Sequence, residues 1–325
     1  MALYTPLEME TLRDVAGRFG LGDVLCARGI PQGSINTNYR VDTDRGRYFV
    51  RHSTVRSEED LAFEASVLAL AASARLSVAK LVLTPGGAAF IPLAGGRLSV
   101  FEWLEGEELP REALTAEHLR ALGSTLGALH RAMDEAPATL SRTNPYGLAC
   151  VDAWLQGLHC HADPEVAAAE RILRAALARA EAHRQAPEST TVIHADLFID
   201  NVKWLGPDRC TFFDFEMACR ASAGLDVAIT LNAWCFEGAD YREALCRAFI
   251  GGYLEQRSLS ASERENLYGH ALFGAVRYTA SRIRDFHLSP LPPEQLAAKD
   301  FRTYLARVQR LEQLGPAGFQ ALLGL

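Results

Sequence analysis

The chain has 325 residues, 49% of them hydrophobic and 22% charged, and its formal net charge is −7. This composition suits a globular protein with two lobes, and an acidic balance without a basic run argues against DNA or RNA as a partner. Residues 1–14 lack the basic and apolar regions of a signal peptide, and no stretch reaches about 18 apolar residues. We therefore expect a cytoplasmic protein without a membrane span.

The first hundred residues combine short strands with two helices. Hydrophobic spacing predicts an amphipathic helix over 7–19, and β-type runs between turn residues predict three antiparallel strands within 24–52. Ser57, with Asp60 three residues later, resembles a capping box, so a helix is expected to begin there. Two or three further strands are predicted, from the runs at 80–83, 88–91 and 98–101.

Beyond a connection at Glu105-Gly106 the chain becomes mainly helical. Apolar periodicity predicts helices at 115–134, 164–184, 223–235, 239–254, 261–286 and 294–313, interrupted by short strands at 192–193, 202–205 and 210–213. This order predicts an α+β protein with a small β-rich N-lobe over 1–104 and a larger, mainly helical C-lobe over 105–325.

Three polar residues near the middle of the chain stand at spacings that suit phosphoryl transfer. Asp196 is followed five residues later by Asn201, and Asp214 follows after a strand, a turn and a second strand. A carboxylate that accepts the proton of an attacking hydroxyl, and two oxygen ligands for Mg²⁺ on the nucleotide phosphates, are the groups that this reaction needs. The spacing matches the catalytic and metal loops of kinases. We therefore predict Asp196 as the base, with Asn201 and Asp214 as metal ligands.

The alternative is that these side chains only cap turns. Asp196 and Asn201 alone would be weak evidence, but the apolar strands that precede Asp196 and Asp214 make the whole set more specific. Within this loop, His194 is expected to support the backbone as a buried hydrogen-bonding residue.

Residues 194–202 resemble the signature of the aminoglycoside phosphotransferase and choline kinase superfamily. The chain is most similar to the bacterial homoserine kinases of that protein-kinase-like fold, and the likeness covers nearly its whole length. The segments that carry the closer resemblance are 3–7, 29–39, 226–236 and 276–282. The resemblance implies a two-lobed kinase that uses ATP and Mg²⁺.

The sequence departs from the family pattern at three positions. Ile199 stands where proline is expected, Glu216 where related homoserine kinases carry tyrosine, and Arg51 where the phosphate-binding lysine is expected. Because Glu216 lies beside the expected metal and acceptor, it puts the identity of the acceptor in question. Arginine can still bind phosphate through its planar fork.

The resemblance places the nucleotide against the N-lobe. Arg51 at the end of the third strand would pair with Glu64 of the following helix, although both could instead be surface residues. Ser34, in a turn, would cover the phosphates. The adenine would contact backbone groups of Glu102 and Leu104 in the hinge.

An amino acid acceptor presents an ammonium and a carboxylate, so its site should offer an acidic group and an arginine. Candidates for the ammonium or hydroxyl end are Glu216 and Asn232, and Asn36 could close over the acceptor. Arg277 or Arg282 could reach the carboxylate. Trp234 could line the pocket or belong to the core, and Asp226 is expected to brace the catalytic loop.

The function that follows from this resemblance is transfer of the ATP γ-phosphate to a small hydroxylated amino acid, with L-homoserine first, in threonine biosynthesis. Other small acceptors stay open, namely choline or another amino alcohol, an aminoglycoside or a sugar. A non-catalytic nucleotide-binding regulator and a metal-dependent phosphate-ester hydrolase are the alternatives from other classes. The protein is expected to be a monomer or a homodimer.

Overall fold

The computed structural model describes residues 6–31, 36–93, 95–289 and 299–325. The chain divides into two compact units. The first runs to Glu107 and also includes Pro137–Arg142 and Thr211–Glu216; the second contains Glu108–Ala136, Thr143–Cys210 and Met217–Leu325. The predicted boundary between residues 104 and 105, and the roles given to the two lobes, stay predictions.

The first unit is built on an antiparallel sheet. Its strands are β1 (Val24–Ile30), β2 (Thr37–Thr43), β3 (Gly46–Ser53), β4 (Leu81–Val82), β5 (Ile91–Leu93) and β6 (Gly96–Glu102). The strand order is β1-β2-β3-β6-β4, and β5 pairs with β6. Because β3 lies between two neighbours, its second half is buried, and Arg51 is held there between Asn38 and Ser99.

Two helices accompany this sheet. Helix α1 (Met9–Phe19) buries Leu12, Val15 and Phe19. They pack in a hydrophobic cluster with side chains of β2, β3 and β6. Helix α2 (Glu58–Ser73) begins at the predicted capping box, in which the Ser57 hydroxyl accepts from the N–H of Asp60 and the Asp60 carboxylate accepts from the N–H of Ser57. The capping box is therefore confirmed.

A short strand from much later in the chain, β9 (Cys210–Phe212), places its last residues in the first unit. The N–H of Phe212 donates to the carbonyl of Ser77 at 3.0 Å, and the N–H of Ala79 donates to the carbonyl of Phe212 at 2.8 Å. These bonds hold the segment that leads into Asp214 against the loop that precedes β4. The sequence predicted the strand but did not indicate this neighbour.

The second unit is mainly helical. Its helices are α3 (Ala116–Asp134), α4 (Leu148–Leu158), α5 (Pro164–Ala182), α6 (Ala223–Trp234), α7 (Glu243–Gln256), α8 (Ala261–Arg282) and α9 (Phe301–Leu323). Helix α8 is buried along most of its length because α5, α6 and α9 pack around it. A Cβ on Gly252 of α7 would lie 2.0 Å from the carbonyl oxygen of Arg120, so only glycine allows α3 and α7 to approach this closely.

Short strands join these helices. β7 (Thr191–Ile193) pairs antiparallel with β10 (Cys219–Ala221), and β11 (Phe236–Glu237) pairs with β12 (Asp240–Tyr241). β8 (Val202–Trp204) ends in a turn in which the N–H of Leu205 donates to the carbonyl of Arg209 at 2.9 Å. Within the described residues, no helix combines the length and apolar character needed to cross a bilayer.

Three predicted boundaries were wrong. The strand predicted at 88–91 is displaced to β5, at Ile91–Leu93. The helix predicted from 239 begins at Glu243, because the preceding residues form the β11–β12 hairpin around Gly238, whose φ of 61° suits glycine. The α-helix predicted to reach 286 ends at Arg282, and the next residues, Ile283–His287, form a π-helical turn.

Two helices differ more strongly from the prediction. Helix α4 was missed, although Val151, Leu155 and Leu158 are its buried residues at helical spacing. Helix α9 was predicted at 294–313, of which 294–298 lie outside the described residues. It continues past Gly315 and Pro316, where the backbone kinks, and reaches Leu323 because its last turns bury Phe319 and Leu323.

Candidate active site

The backbone of the catalytic loop is held by one buried carboxylate. After β7, the N–H groups of His194 and Ala195 each donate to Asp226 at 2.8 Å. Ala195 has a φ of 64°, a left-handed conformation that is uncommon for a residue with a Cβ and that these two bonds stabilise. Burial opposes ionisation of Asp226, but the hydrogen bond from His130 and the backbone donors outweigh it and lower the pKa of this carboxyl.

Asp196 follows directly, half-buried, with its carboxylate oriented by a neighbour. Its Oδ1 accepts from the hydroxyl of Tyr278 at 2.7 Å, and its backbone carbonyl accepts from Nδ2 of Asn201 at 2.8 Å. Burial raises the pKa of Tyr278 well above its ordinary value, so the phenol stays a donor. The loop therefore presents one carboxylate in a defined orientation, with Asn201 fixed beside it.

The tyrosine contact leads to a first prediction. Replacing Tyr278 by Phe removes the hydrogen bond to Asp196 and keeps the ring, so kcat should fall about tenfold while the KM for ATP is unchanged, as expected for loss of one hydrogen bond to a charged group. Steady-state kinetics at saturating acceptor measure this. A tenfold rise in the KM for ATP with an unchanged kcat would contradict an orienting role for Tyr278.

In the first unit, a buried cation lies among three carboxylates. Arg51 is 4% exposed; its Nη2 donates to Glu64 at 2.6 Å, and its Nη1 lies 3.1 Å from Glu216 and 3.5 Å from Asp214. Burial opposes the charge, but the three carboxylates outweigh it and raise the pKa of Arg51. The alternative that Arg51 and Glu64 are surface residues is wrong, since Glu64 is 3% exposed.

Glu216 is tied to the same unit on several sides. Its carboxylate accepts from Nδ2 of Asn36 at 2.5 Å, and its backbone carbonyl accepts from Arg56 at 2.8 Å and from Arg142 at 2.6 Å. Asn36 is held in turn by the hydroxyl of Ser53 at 2.7 Å. The residue that replaces the expected tyrosine is thus a partner of Arg51, and its predicted contact with an acceptor stays a prediction.

The predicted hinge follows β6. The N–H of Glu102 donates to the carbonyl of Lys80 at 2.9 Å, and the N–H of Trp103 donates to that of Arg47 at 3.1 Å. Within the described part of the chain, the N–H of Leu104 has no hydrogen-bond partner. Such an amide could bind the edge of a base. Ser34, the other predicted nucleotide contact, lies outside the described residues.

The predicted acceptor residues of the second unit have internal partners. Asn232 is 1% exposed and uses both side-chain atoms, donating to Ala271 at 2.8 Å and accepting from Tyr241 at 2.5 Å. Trp234 is also 1% exposed and donates to the carbonyl of Leu197 at 2.9 Å. It therefore belongs to the core, behind the catalytic loop. The predicted contacts of Asn232 and Trp234 with an acceptor stay predictions.

Arg282, predicted to reach the acceptor carboxylate, has partners at the start of α9. Its Nη1 donates to the carbonyl of Asp300 at 3.1 Å and to the hydroxyl of Thr303 at 2.8 Å, and its guanidinium stacks on Tyr304 at 4.3 Å. Burial lowers its pKa. This arginine anchors α9 to α8.

Sequence reasoning missed three contributors to these sites: Tyr278 beside Asp196, and Arg56 and Arg142 on the Glu216 carbonyl. Arg56 and Arg142 carry no local signal, because their contacts join segments far apart in the chain. Tyr278 lies in the late helix segment that carries the resemblance, but only packing brings its hydroxyl to the catalytic loop.

The residues predicted to hold a divalent metal have suitable chemistry. The amide oxygen of Asn201 accepts no hydrogen bond from the described residues, and the side chain of Asp214 is 43% exposed. Mg²⁺ usually takes one or two protein oxygens together with substrate phosphates. No group of three or more His, Cys, Asp or Glu side chains in the described ranges could hold a metal alone. Asp214 belongs to the first unit and Asn201 to the second, so their convergence stays a prediction.

The class of protein to which this chain belongs follows from comparison with known proteins. Residues 27–259 match the model of the phosphotransferase enzyme family. The chain is 33% identical over 289 residues to the homoserine kinase of Rhodopseudomonas palustris, covering 88% of this chain and 87% of the relative. It is 33% identical over 318 residues to the homoserine kinase of Methylorubrum populi, covering 95% of each.

A solved structure of a microcompartment-associated aminopropanol kinase superposes with a TM-score of 0.70 at 19% identity, covering 97% of this chain and 99% of that chain. The sheet of the first unit and the helices of the second therefore make up a protein-kinase-like α+β fold, as the sequence predicted. This fold and the catalytic loop define an ATP-dependent phosphotransferase. The chain belongs to the phosphotransferase enzyme family, and homoserine kinases are among its relatives.

Proposed function

We propose that this enzyme transfers the γ-phosphate of ATP, with Mg²⁺, to the side-chain hydroxyl of L-homoserine. The observation that carries the proposal is similarity to homoserine kinases over nearly the whole chain, at 33% identity across 95% of it. The oriented Asp196 carboxylate and the neighbouring Asn201 support it, since a regulator without activity would not require either.

In the proposed mechanism, Asp196 accepts the proton of the acceptor hydroxyl as that oxygen forms a bond to the γ-phosphorus and the bond to the ADP oxygen breaks. Tyr278 holds the carboxylate in one rotamer, so that the accepting oxygen faces the acceptor. Asp226 keeps the backbone of the loop in the conformation that presents Asp196.

The nucleotide is proposed to lie along the first unit. Arg51 would hold phosphate oxygens while Glu64 and Glu216 keep its guanidinium in place. Adenine would bind the carbonyl of Glu102 and the N–H of Leu104, and Ser34 would contribute at the phosphates. Asn201 and Asp214 would hold Mg²⁺, which when bound neutralises charge on the transferred phosphate.

This proposal requires Asp196, Asn201 and Asp214 to meet at one cleft. It also assigns nucleotide binding to residues 1–104 and acceptor binding to 105–325, in a cytoplasmic monomer or homodimer. Asn36 and Glu216, already bonded to each other, would close over the acceptor only if those bonds rearrange.

A coupled ADP-release assay tests the proposal. With Mg²⁺ and ATP, we expect turnover with L-homoserine to exceed turnover with L-serine, L-threonine, choline or kanamycin by at least about tenfold in kcat/KM. Choline and kanamycin lack the α-carboxylate, and L-serine and L-threonine carry the hydroxyl one carbon closer to the charged groups, so that it would not reach the reacting position. Turnover that is greatest with choline or kanamycin would reject homoserine as the acceptor. ADP release that no acceptor stimulates would reject the kinase assignment.

A further inference from the structure

Beside the catalytic loop lies a buried arginine with few partners. Arg277, on α8, is 2% exposed, and its guanidinium carbon lies over the ring of Tyr146 at 4.9 Å and over the ring of Tyr278 at 4.6 Å. Within the described chain its one hydrogen bond runs from Nη1 to the carbonyl of Ala195 at 3.4 Å, which is long for such a bond. No carboxylate of the described residues forms an ion pair with it.

Two other buried arginines of the described residues are satisfied differently. Arg51 is surrounded by carboxylates, and Arg307 donates from Nε to the carbonyl of Asn232 at 2.7 Å and from Nη1 to that of Thr303 at 2.5 Å. A guanidinium has five donors and stays charged in proteins, and burying a charge without a partner is costly. Arg277 therefore has a positive charge and several N–H donors that are available to a ligand.

The position of this charge relates it to the reaction. The carbonyl that Arg277 contacts belongs to the residue before Asp196, and the Tyr278 ring on which it stacks carries the hydroxyl that bonds the Asp196 carboxylate. An anionic group at Arg277 would thus lie close to a hydroxyl bound at Asp196, near enough for one small molecule to carry both groups. A guanidinium that lies over aromatic rings keeps its N–H donors in its own plane, and such donors suit a carboxylate bound by two parallel hydrogen bonds.

We propose that Arg277 binds the α-carboxylate of the acceptor and makes the enzyme select amino acids over amino alcohols. This inference rests on the proposed function and names the residue that determines its substrate class. Of the two arginines predicted for the carboxylate, Arg282 is the less suited, because its donors serve the start of α9.

A pair of acceptors that differ only in the carboxylate tests this role. L-homoserine and 3-amino-1-propanol share the hydroxyl, the carbon spacing and the ammonium. For Arg277→Gln we expect kcat/KM with L-homoserine to fall about 100-fold, while kcat/KM with 3-amino-1-propanol changes less than about threefold. Arg277→Lys keeps the charge without the fork and should restore part of the activity with homoserine alone.

A matched control is Arg284→Gln. Arg284 also stacks on a ring, that of Trp154 at 3.9 Å, but it has a carboxylate partner in Asp285 at 2.5 Å. This variant should keep the discrimination of the wild-type enzyme. The KM for ATP and the melting temperature of each variant show whether its fold is intact, and Arg277→Lys decides the question if Arg277→Gln does not fold.

The outcomes separate this inference from the proposed function. A wild-type enzyme that does not phosphorylate L-homoserine rejects the proposed function. A wild-type enzyme that does, with Arg277→Gln losing activity equally on both acceptors or keeping the wild-type preference, overturns the role of Arg277 alone. Collapse of the preference in Arg282→Gln but not in Arg277→Gln assigns the carboxylate to Arg282 and likewise overturns the inference.

Discussion

Replacing Asp196 by Asn is expected to lower kcat with L-homoserine by about 10³-fold, because the amide cannot accept the hydroxyl proton and general-base catalysis contributes about 10²–10⁴-fold. Asparagine has the same shape and keeps an oxygen for the Tyr278 hydroxyl, which bonds Asp196 at 2.7 Å. The fold and the KM for ATP should therefore be retained. The coupled ADP-release assay measures kcat and the KM for ATP. A thermal shift with Mg²⁺ and ATP shows whether the variant is folded and binds the nucleotide.

Asp200 offers a control in the same loop. Its carboxylate is exposed and lies 3.4 Å from Lys299, a surface pair that contributes little. The same chemical change, Asp200→Asn, should leave kcat within about twofold of wild type. If Asp196→Asn kept more than a tenth of the wild-type kcat, Asp196 would not be the base.

Replacing Arg51 by Met is expected to cost about 3–5 kcal/mol of unfolding free energy, because it leaves two buried carboxylates without their shared cation. These are Glu64 at 2.6 Å and Glu216 at 3.1 Å from the guanidinium. Binding of ATP should be lost as well, since the phosphates would lack their cation. Urea unfolding and calorimetric titration with Mg²⁺ and ATP measure the two effects separately.

The triple variant Arg51→Met, Glu64→Gln, Glu216→Gln separates stability from nucleotide binding. Removing the carboxylate charges together with the cation should recover much of the lost stability, whereas ATP binding should stay absent. Arg47→Met, on the same strand but exposed and paired with Asp42 at 3.0 Å, should change stability by less than about 1 kcal/mol. If Arg51→Met bound ATP with the affinity of the wild-type protein, Arg51 would not be part of the nucleotide site.

The cluster around Arg51 connects two departures from the family pattern. Arginine stands at the position of the expected lysine, and Glu216 stands where tyrosine was expected. The structure shows the two side chains 3.1 Å apart, with Glu216 also held by Asn36. The carboxylate of Glu216 therefore contributes to offsetting the cost of burying the guanidinium of Arg51.

Much of the architecture followed from local patterns. Apolar spacing and the Ser57 capping box indicated α2, and the residues between Asp196 and Asn201 indicated a catalytic loop before any fold was known. Where local patterns predicted a wrong helix end, tertiary packing was the reason. Gly315 and Pro316 are expected to end a helix, yet α9 resumes beyond them because Phe319 and Leu323 bury their side chains.

Residue types and their spacing along one loop were enough to predict the reaction, since the proposed base Asp196 and the proposed metal ligand Asn201 lie five positions apart and share a hydrogen bond. Which side chains are buried, paired or available for a ligand depended on packing across the chain. Asn36 and Glu216 are 180 positions apart, and Arg277 reaches the catalytic loop from a helix 82 positions later. Hydrogen bonds between distant segments require contact in space, and no local periodicity encodes such contacts.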